Sequence, residues 1–295
     1  MRLEVRYNDS LVGRLDDSTG QILFQYDADW LRTGIELSPF YLPLQQGAIA
    51  LRGPFEGKLA GLFADSLPDY WGRSIMDRRL REAAIDPTKV SVLKRLALVG
   101  EGGLGALSYH PAETADHYEF HSLRQAVQFT REVLAYPDDA MPGTPIMQQA
   151  SSNPGGRFPK IYVGWHPQSQ KIAVGTRHYP AGYIPCLLKL DLGEDMPGAK
   201  AELCRQEYNY LEQAVRCGIR CPRHWLLTGE SPDGRTYAHL LVERFDRAGA
   251  QGRHIHSFSG IAHKLAIRYA NSYEELFRLT VSVLFPHLHA GPSLS

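Results

Sequence analysis

The sequence predicts an α+β fold in two parts, a mixed β/α N-terminal subdomain followed by an antiparallel sheet with a helix. Three observations carry this. Apolar and polar residues alternate between turn signals from Leu3 to Tyr26, as half-buried strands require. Two helical stretches follow, one from Tyr70 and one around Val90. Past Lys160, short apolar strands return and are interrupted once by helical spacing, between Lys200 and Cys217.

In chain order, Leu3, Val5 and Tyr7 alternate, Asn8-Asp9-Ser10 turns, and Leu11 to Leu15 alternate back, predicting a hairpin that Ile22, Phe24 and Tyr26 extend. Residues 35–52 are expected to add short strands around Pro39 and Pro43. Asp69 is a helix start for Tyr70 to Ala84, with Arg78, Arg79 and Arg81 towards its C-terminal half, where cations suit the dipole. Asp86-Pro87 is expected to open a further helix, with Val90, Leu93, Leu96 and Ala97 on one face, ending at Gly100. The glycines from Gly100 to Gly105 follow a helix and precede the strand Ala106 to Tyr109, the reverse of a dinucleotide-binding loop. Turn chemistry is the main reading there, and a contact to the second half the lesser one. A helix from Ser122 to Ala135 is assigned to the first half, before the Pro-rich stretch Pro137 to Pro145. The expected units are therefore 1–110, a helix and linker over 111–145, and 146–295. The last unit predicts strands at 160–165, 171–176, 183–190, 223–228 and 237–243, a helix at 200–217, and a final helix from Tyr273 to Phe285 capped by Ser272.

The chain has 295 residues, with 32 basic and 32 acidic side chains, so no net field points to nucleic acid or membrane. The basic groups Arg78, Arg79, Arg81, Lys94 and Arg95 are scattered over two helices and read as solvated faces. No apolar run approaches the roughly 20 residues needed to cross a bilayer. Met1 to Tyr7 has the pattern of a strand and not of a signal peptide, so a cytoplasmic location is expected. Four cysteines, Cys186, Cys204, Cys217 and Cys221, lack paired metal-ligand spacing, and reduced core thiols are the expected state. No metal site is expected.

One stretch carries candidate chemistry. In Ala150 to Lys160, two hydroxyls, the Gly155-Gly156 pair and a basic residue precede the alternating run Ile161 to Trp165. That order suits a loop that wraps phosphates with amides and a cation, although a plain Gly-Pro turn is the main reading of this stretch taken alone. No Gly-Lys-Ser/Thr follows, so it is not a P-loop. Next, Tyr183 to Leu190 reads as a buried strand containing Lys189, and a buried lysine needs a partner. Glu202 and Glu207, on the following helix, are the candidates. Tyr237 to Arg247 is then a strand running into a charged end. Loop, strand lysine, helix glutamate and edge strand make the order of a protein-kinase-like small lobe.

These segments, Ser151 to Lys160, Leu187-Leu188-Lys189, Glu207-Tyr208 and Val242 to Arg247, resemble the HipA family, the serine/threonine-kinase toxins of bacterial type II toxin–antitoxin modules. Val12 to Leu15, Phe63 to Gly72 and Val99 to Leu107 are similar to that family's N-terminal subdomain. The resemblance implies ATP and Mg²⁺ as cofactors, with Lys189 on the phosphates and Glu207 as its partner. It places Gly155, Gly156 and Lys160 around phosphate, and Glu243 and Phe245 where backbone groups meet adenine. Ser151 or Ser152 would be an autophosphorylated serine, though Asn153 separates them from the glycines. A helix-turn-helix, HipB-like antitoxin is the implied partner, with DNA reached only through it and no membrane involved. The competing readings are a snorkelling Lys189 and a strand end at which Glu243, Arg244, Asp246 and Arg247 form a solvated cluster.

The chain departs from the family after the hinge. Phosphoryl transfer needs a carboxylate beside the substrate hydroxyl and further ligands for Mg²⁺, which the family carries in an Asp-x-His-x-Lys-Asn-type loop and a later Asp. From Arg247 to Ser295 there is no Asp; Glu274 and Glu275 are the acidic residues and Asn271 the one Asn. His254, His256, His263, His287 and His289 read as loop or surface residues. The expectation is a small lobe with the large lobe mostly missing: a C-terminally truncated, catalytically incomplete kinase, inactive or partner-dependent, with no catalytic residue of its own. Apolar surface left uncovered would favour self-association or partner binding. The alternative is a non-enzymatic interaction module that binds a helix-turn-helix antitoxin or another partner. An unrelated small-molecule binder remains only if the resemblance is accidental.

Overall fold

The computed structural model describes residues 1–113, 119–135, 159–174, 179–193, 202–230, 234–249, 251–264 and 272–285. The alternation of the first segment builds β1 (Arg2–Tyr7), β2 (Ser10–Asp16) and β3 (Leu23–Tyr26). With β4 (Ala48–Ala50) and β5 (Leu107–His110) they form an antiparallel sheet in the order β4-β3-β2-β1-β5. Leu3, Val5, Leu15, Phe24 and Tyr26 fill its inner face. Behind β3, α1 (Ala28–Thr33) is capped by the Asp27 side chain and stopped by Gly34 at φ 68°, a conformation glycine adopts without strain. Leu62 and Phe63 of α2 (Gly61–Ala64), with Leu93, Leu96 and Ala97 of α4 (Val92–Val99), close this core.

Two expectations fail here. Strands around Pro39 and Pro43 do not form; only β4 does, because proline has no N–H to give a ladder. The helix expected from Asp86 is also divided. Asp86 caps a single 3-10 turn, Pro87–Lys89, then Val90 is extended and Ser91 caps α4 through Lys94 N. Two consecutive cap residues of the right chemistry make two short elements instead of one.

The second sheet is also antiparallel throughout. Its strands are β6 (Glu119–His121), β7 (Lys160–His166), β8 (Lys171–Val174), β9 (Ile184–Lys189), β10 (His224–Glu230) and β11 (Thr236–Glu243), in the order β10-β11-β9-β7-β8-β6. Ile161, Val163, Leu188 and Leu241 line one face. The helix α5 (Leu123–Ala135), assigned from sequence to the first half, instead buries Ala126 and Val127 against this face. Between the cores lies α3 (Tyr70–Glu82): Trp71 and Ile75 enter the second core, while Met76 and Leu80 meet Leu98 and Val99. On the second sheet, the 3.6-residue period of α6 (Leu203–Arg216) packs it against β10 and β11. A strap with the two-residue pair β12 (Arg247–Ala248) and β13 (Gln251–Gly252) returns to the first half, where α7 (Phe258–Ala262) packs on α2. Ser272 caps α8 (Tyr273–Leu284), which buries no residue. No helix among the described residues is long and apolar enough to cross a membrane.

Candidate functional site

Strand alternation places the two site lysines. Leu188 points into the core, so Lys189 points to the opposite face, where α6 lies. There its ammonium forms an ion pair with Glu207, and the Cys204 thiol of α6 donates to the Lys189 carbonyl at 3.4 Å. Glu202, the competing partner, precedes the first turn of α6 at φ 68° and pairs with Arg205 at 3.5 Å.

Lys160 is the direct cross-strand partner of Lys189. Its side chain is only 6% exposed, and its Nζ lies 2.8 Å from Asp69 Oδ2. Burial pushes the Lys160 pKa down; Asp69 works against that and the Lys189 charge adds to it. Asp69 has a second task, since its Oδ1 accepts from Gly72 N at 2.9 Å and so caps α3. Next to it, Trp71 Nε1 donates to the Lys160 carbonyl at 3.1 Å. Sequence reading found Asp69 only as a helix start. Its pairing with Lys160 spans 91 positions and leaves no local signal. Gly155, Gly156, Ser151 and Ser152 lie outside the described residues.

At the end of β11, Glu243 is held by a bidentate Arg223 at 2.7 and 2.8 Å, and those bonds hold its carboxyl below the usual range. The Glu243 and Arg244 amides are both engaged, with Arg223 O at 2.8 Å and Pro185 O at 2.9 Å. Phe245 follows in an exposed turn.

The solvated-cluster reading of the next residues is overturned: Arg244, Asp246 and Arg247 are 5%, 1% and 7% exposed. Arg244 sits over the Tyr162 ring at 3.6 Å and grips Asp246 with Nε at 2.9 Å and Nη2 at 2.7 Å. Asp246 also accepts from Gly105 N at 2.9 Å, and Arg247 donates to Gly105 O at 2.9 Å and Gly103 O at 3.0 Å. Burial opposes the Asp246 charge, but the Arg244 bonds prevail and hold its carboxyl below the ordinary range. The glycine loop after α4 therefore does both things expected of it, ending a helix at Gly100 and contacting the second half. Asn8 reinforces this, with Oδ1 accepting from Gly252 N at 2.8 Å and Nδ2 donating to Gly252 O at 3.2 Å.

One further surface reading is corrected, while the loop histidines do lie in loops or at a helix end. Arg78 and Arg95 are 3% and 2% exposed; Arg78 lies 3.5 Å from Glu82, and Arg95 pairs with Asp77 and donates to Pro87 O at 2.9 Å. Among the loop histidines, His256 Nδ1 lies 2.8 Å from Asp65 Oδ2, and His254 Nε2 bonds Leu37 O at 2.9 Å. His263 Nε2 accepts from Gly61 N at 3.0 Å, and its ring stacks on Tyr41 at 3.8 Å. Among the described residues, no three His, Cys, Asp or Glu side chains converge on a metal-sized site.

Comparison with known families gives two matches, in chain order. Residues 3–110 match the model described as HipA N-terminal domain, and residues 152–289 match the one described as HipA-like C-terminal domain. No curated protein gives a significant match.

Proposed function

The chain belongs to the HipA family, the toxins of toxin–antitoxin modules, and we propose that its second half is a nucleotide cradle of the protein-kinase small-lobe type. The observation that carries this reading is the Lys189–Glu207 pair, a strand lysine oriented by a helix carboxylate. Protein kinases use that combination to hold the α- and β-phosphates of ATP. In this reading Lys189 meets the phosphates of Mg-ATP and Lys160, with Gly155 and Gly156, supplies a second phosphate contact. Adenine lies against the strand end at Glu243 and Phe245. Ser151 and Ser152 are the candidate autophosphorylation sites. None of these residues is the carboxylate that phosphoryl transfer sets beside the substrate hydroxyl, so the role assigned to them is nucleotide binding.

The first half is the docking surface for a helix-turn-helix antitoxin in the cytoplasm, and DNA is reached through that partner. A second reading, an interaction module without nucleotide, draws support from α8, whose Tyr273, Phe277 and Leu284 are exposed. Titration with Mg-ATP by calorimetry separates the two. The nucleotide reading expects binding that Lys189→Ala weakens by at least about tenfold, as loss of a charge-assisted phosphate contact implies. No heat of binding at millimolar ATP would leave the interaction module.

A further inference from the structure

Lys160 and Lys189 face each other across β7 and β9, so both side chains leave the same face of the sheet, and like charges so placed repel. Each is neutralised from a different direction. Glu207 comes to Lys189 from α6, within the second half; Asp69 comes to Lys160 from the start of α3, in the first. The two pairs also differ in exposure, at 32% and 45% for Lys189 and Glu207 but 6% and 11% for Lys160 and Asp69. Among the described residues, two cations and two carboxylates thus stand where the nucleotide reading puts phosphate.

Resting on that reading, we infer that Asp69 is a built-in competitor for the phosphate of the ligand: its carboxylate holds Lys160 while no polyphosphate is bound, and a polyphosphate anion binds by taking Lys160 from it. Glu207 is not the group displaced, because a helix carboxylate on the strand lysine is what orients that lysine for phosphate. Asp69 can release the cation at small structural cost, since its other oxygen stays on Gly72 N and keeps α3 capped. Loading of the site is thereby coupled to an element of the first half, whose Trp71 bonds the Lys160 carbonyl.

Asp69→Asn tests this, because asparagine is as good a helix cap as aspartate and carries no charge. The purified full chain is titrated with Mg-ATP and, separately, with inorganic pyrophosphate. Removing one carboxylate beside the cation is expected to tighten both by about tenfold, roughly 1.4 kcal/mol. Asp69→Ser, a second uncharged cap, should behave alike. In a Lys160→Met background, Asp69→Asn should give no gain. Unchanged or weaker binding in both cap variants, with Lys189→Ala still weakening binding by at least about tenfold, overturns the inference and leaves the nucleotide reading standing. A gain that persists without Lys160 overturns it as well. If Lys189→Ala binds like the wild type, the nucleotide reading itself falls and takes the inference with it.

Discussion

Asp246→Asn should loosen the joint between the two halves. The Asp246 carboxylate receives three hydrogen bonds: from Arg244 Nε at 2.9 Å, Arg244 Nη2 at 2.7 Å and Gly105 N at 2.9 Å. Arg247 Nε lies a further 3.7 Å away. All three charged side chains are buried, and among the described residues both guanidinium groups meet this carboxylate. Asparagine keeps one acceptor but turns an NH₂ towards an arginine. Breaking a buried pair from one side costs about 3–5 kcal/mol. The lower end applies here, because Arg244 keeps the Tyr162 ring and Arg247 keeps two carbonyls. At roughly 2–4 °C per kcal/mol, the thermal midpoint at neutral pH should fall by roughly 6–12 °C. Circular dichroism melts of wild type and variant measure it. The carboxyl is held below its ordinary value in the folded state, so its contribution is present above that ordinary value and lost as pH falls through the folded one. The difference between the two proteins should therefore shrink below about pH 4. A fall of under about 2 °C at neutral pH would refute the idea that this network is a buried joint.

Two further outcomes are expected. His239 is buried and accepts from Asp191 N through Nδ1 at 3.2 Å, so burial first, and the Arg131 charge second, push its pKa down to about 4. Its unfolded form takes up a proton from about pH 6.5 downwards while the folded form resists, so stability drops as pH falls from about 6.5 to 4, by up to about 3 kcal/mol. His239→Asn, which retains an acceptor for Asp191 N, should flatten the midpoint-against-pH curve across that window; an unaltered curve counts against the assignment. Thiol titration with a disulfide reagent should find Cys217 and Cys221 reactive in the native protein. Cys186 and Cys204 should stay silent until denaturant is added, since both are buried and burial pushes the Cys204 thiol up to about 12. Four fast thiols would contradict the packing of β9 and α6.

The parts of this fold that announce themselves locally are the ones sequence could reach. Leu3, Val5 and Phe24 alternate because one side of their sheet is wet, and the caps Asp69 and Ser272 are visible from their chemistry alone. Lys189 stood out as a cation inside an apolar strand. Spacing could not choose between Glu202 and Glu207, because the choice depends on where the first turn of α6 begins, one residue after Glu202. The charge run Arg244 to Arg247 reads as solvated for a physical reason: what buries it is a glycine loop some 140 positions earlier. The same holds for Arg95, hidden by its bonds to Asp77 and to the carbonyl of Pro87. The sequence does not say that α5 packs on the second sheet, because an amphipathic helix states which face it buries and not against what.

Charged groups tie the first half to the second at separate places, among others these. Asp69 holds Lys160 at the start of β7, Gly103 and Gly105 hold Arg244, Asp246 and Arg247 beyond β11, and Asp65 holds His256 and Ser257 in the strap. The last is tight, since a Cβ at Gly260 would stand 2.5 Å from Asp65 Oδ2. Each contact sets a charged group of one half against a partner of the other, so docking the halves adds to what each group finds within its own half. A ligand that bound the first half and shifted α3 against β7 would change the electrostatic state of Lys160 without touching it. Because coupling between two binding sites is reciprocal, any polyphosphate that alters the Lys160–Asp69 pair must alter the affinity of such a partner by the same factor. The direction is given by Asp69: a partner that draws it away from Lys160 favours the anion, and one that seats it more firmly opposes it.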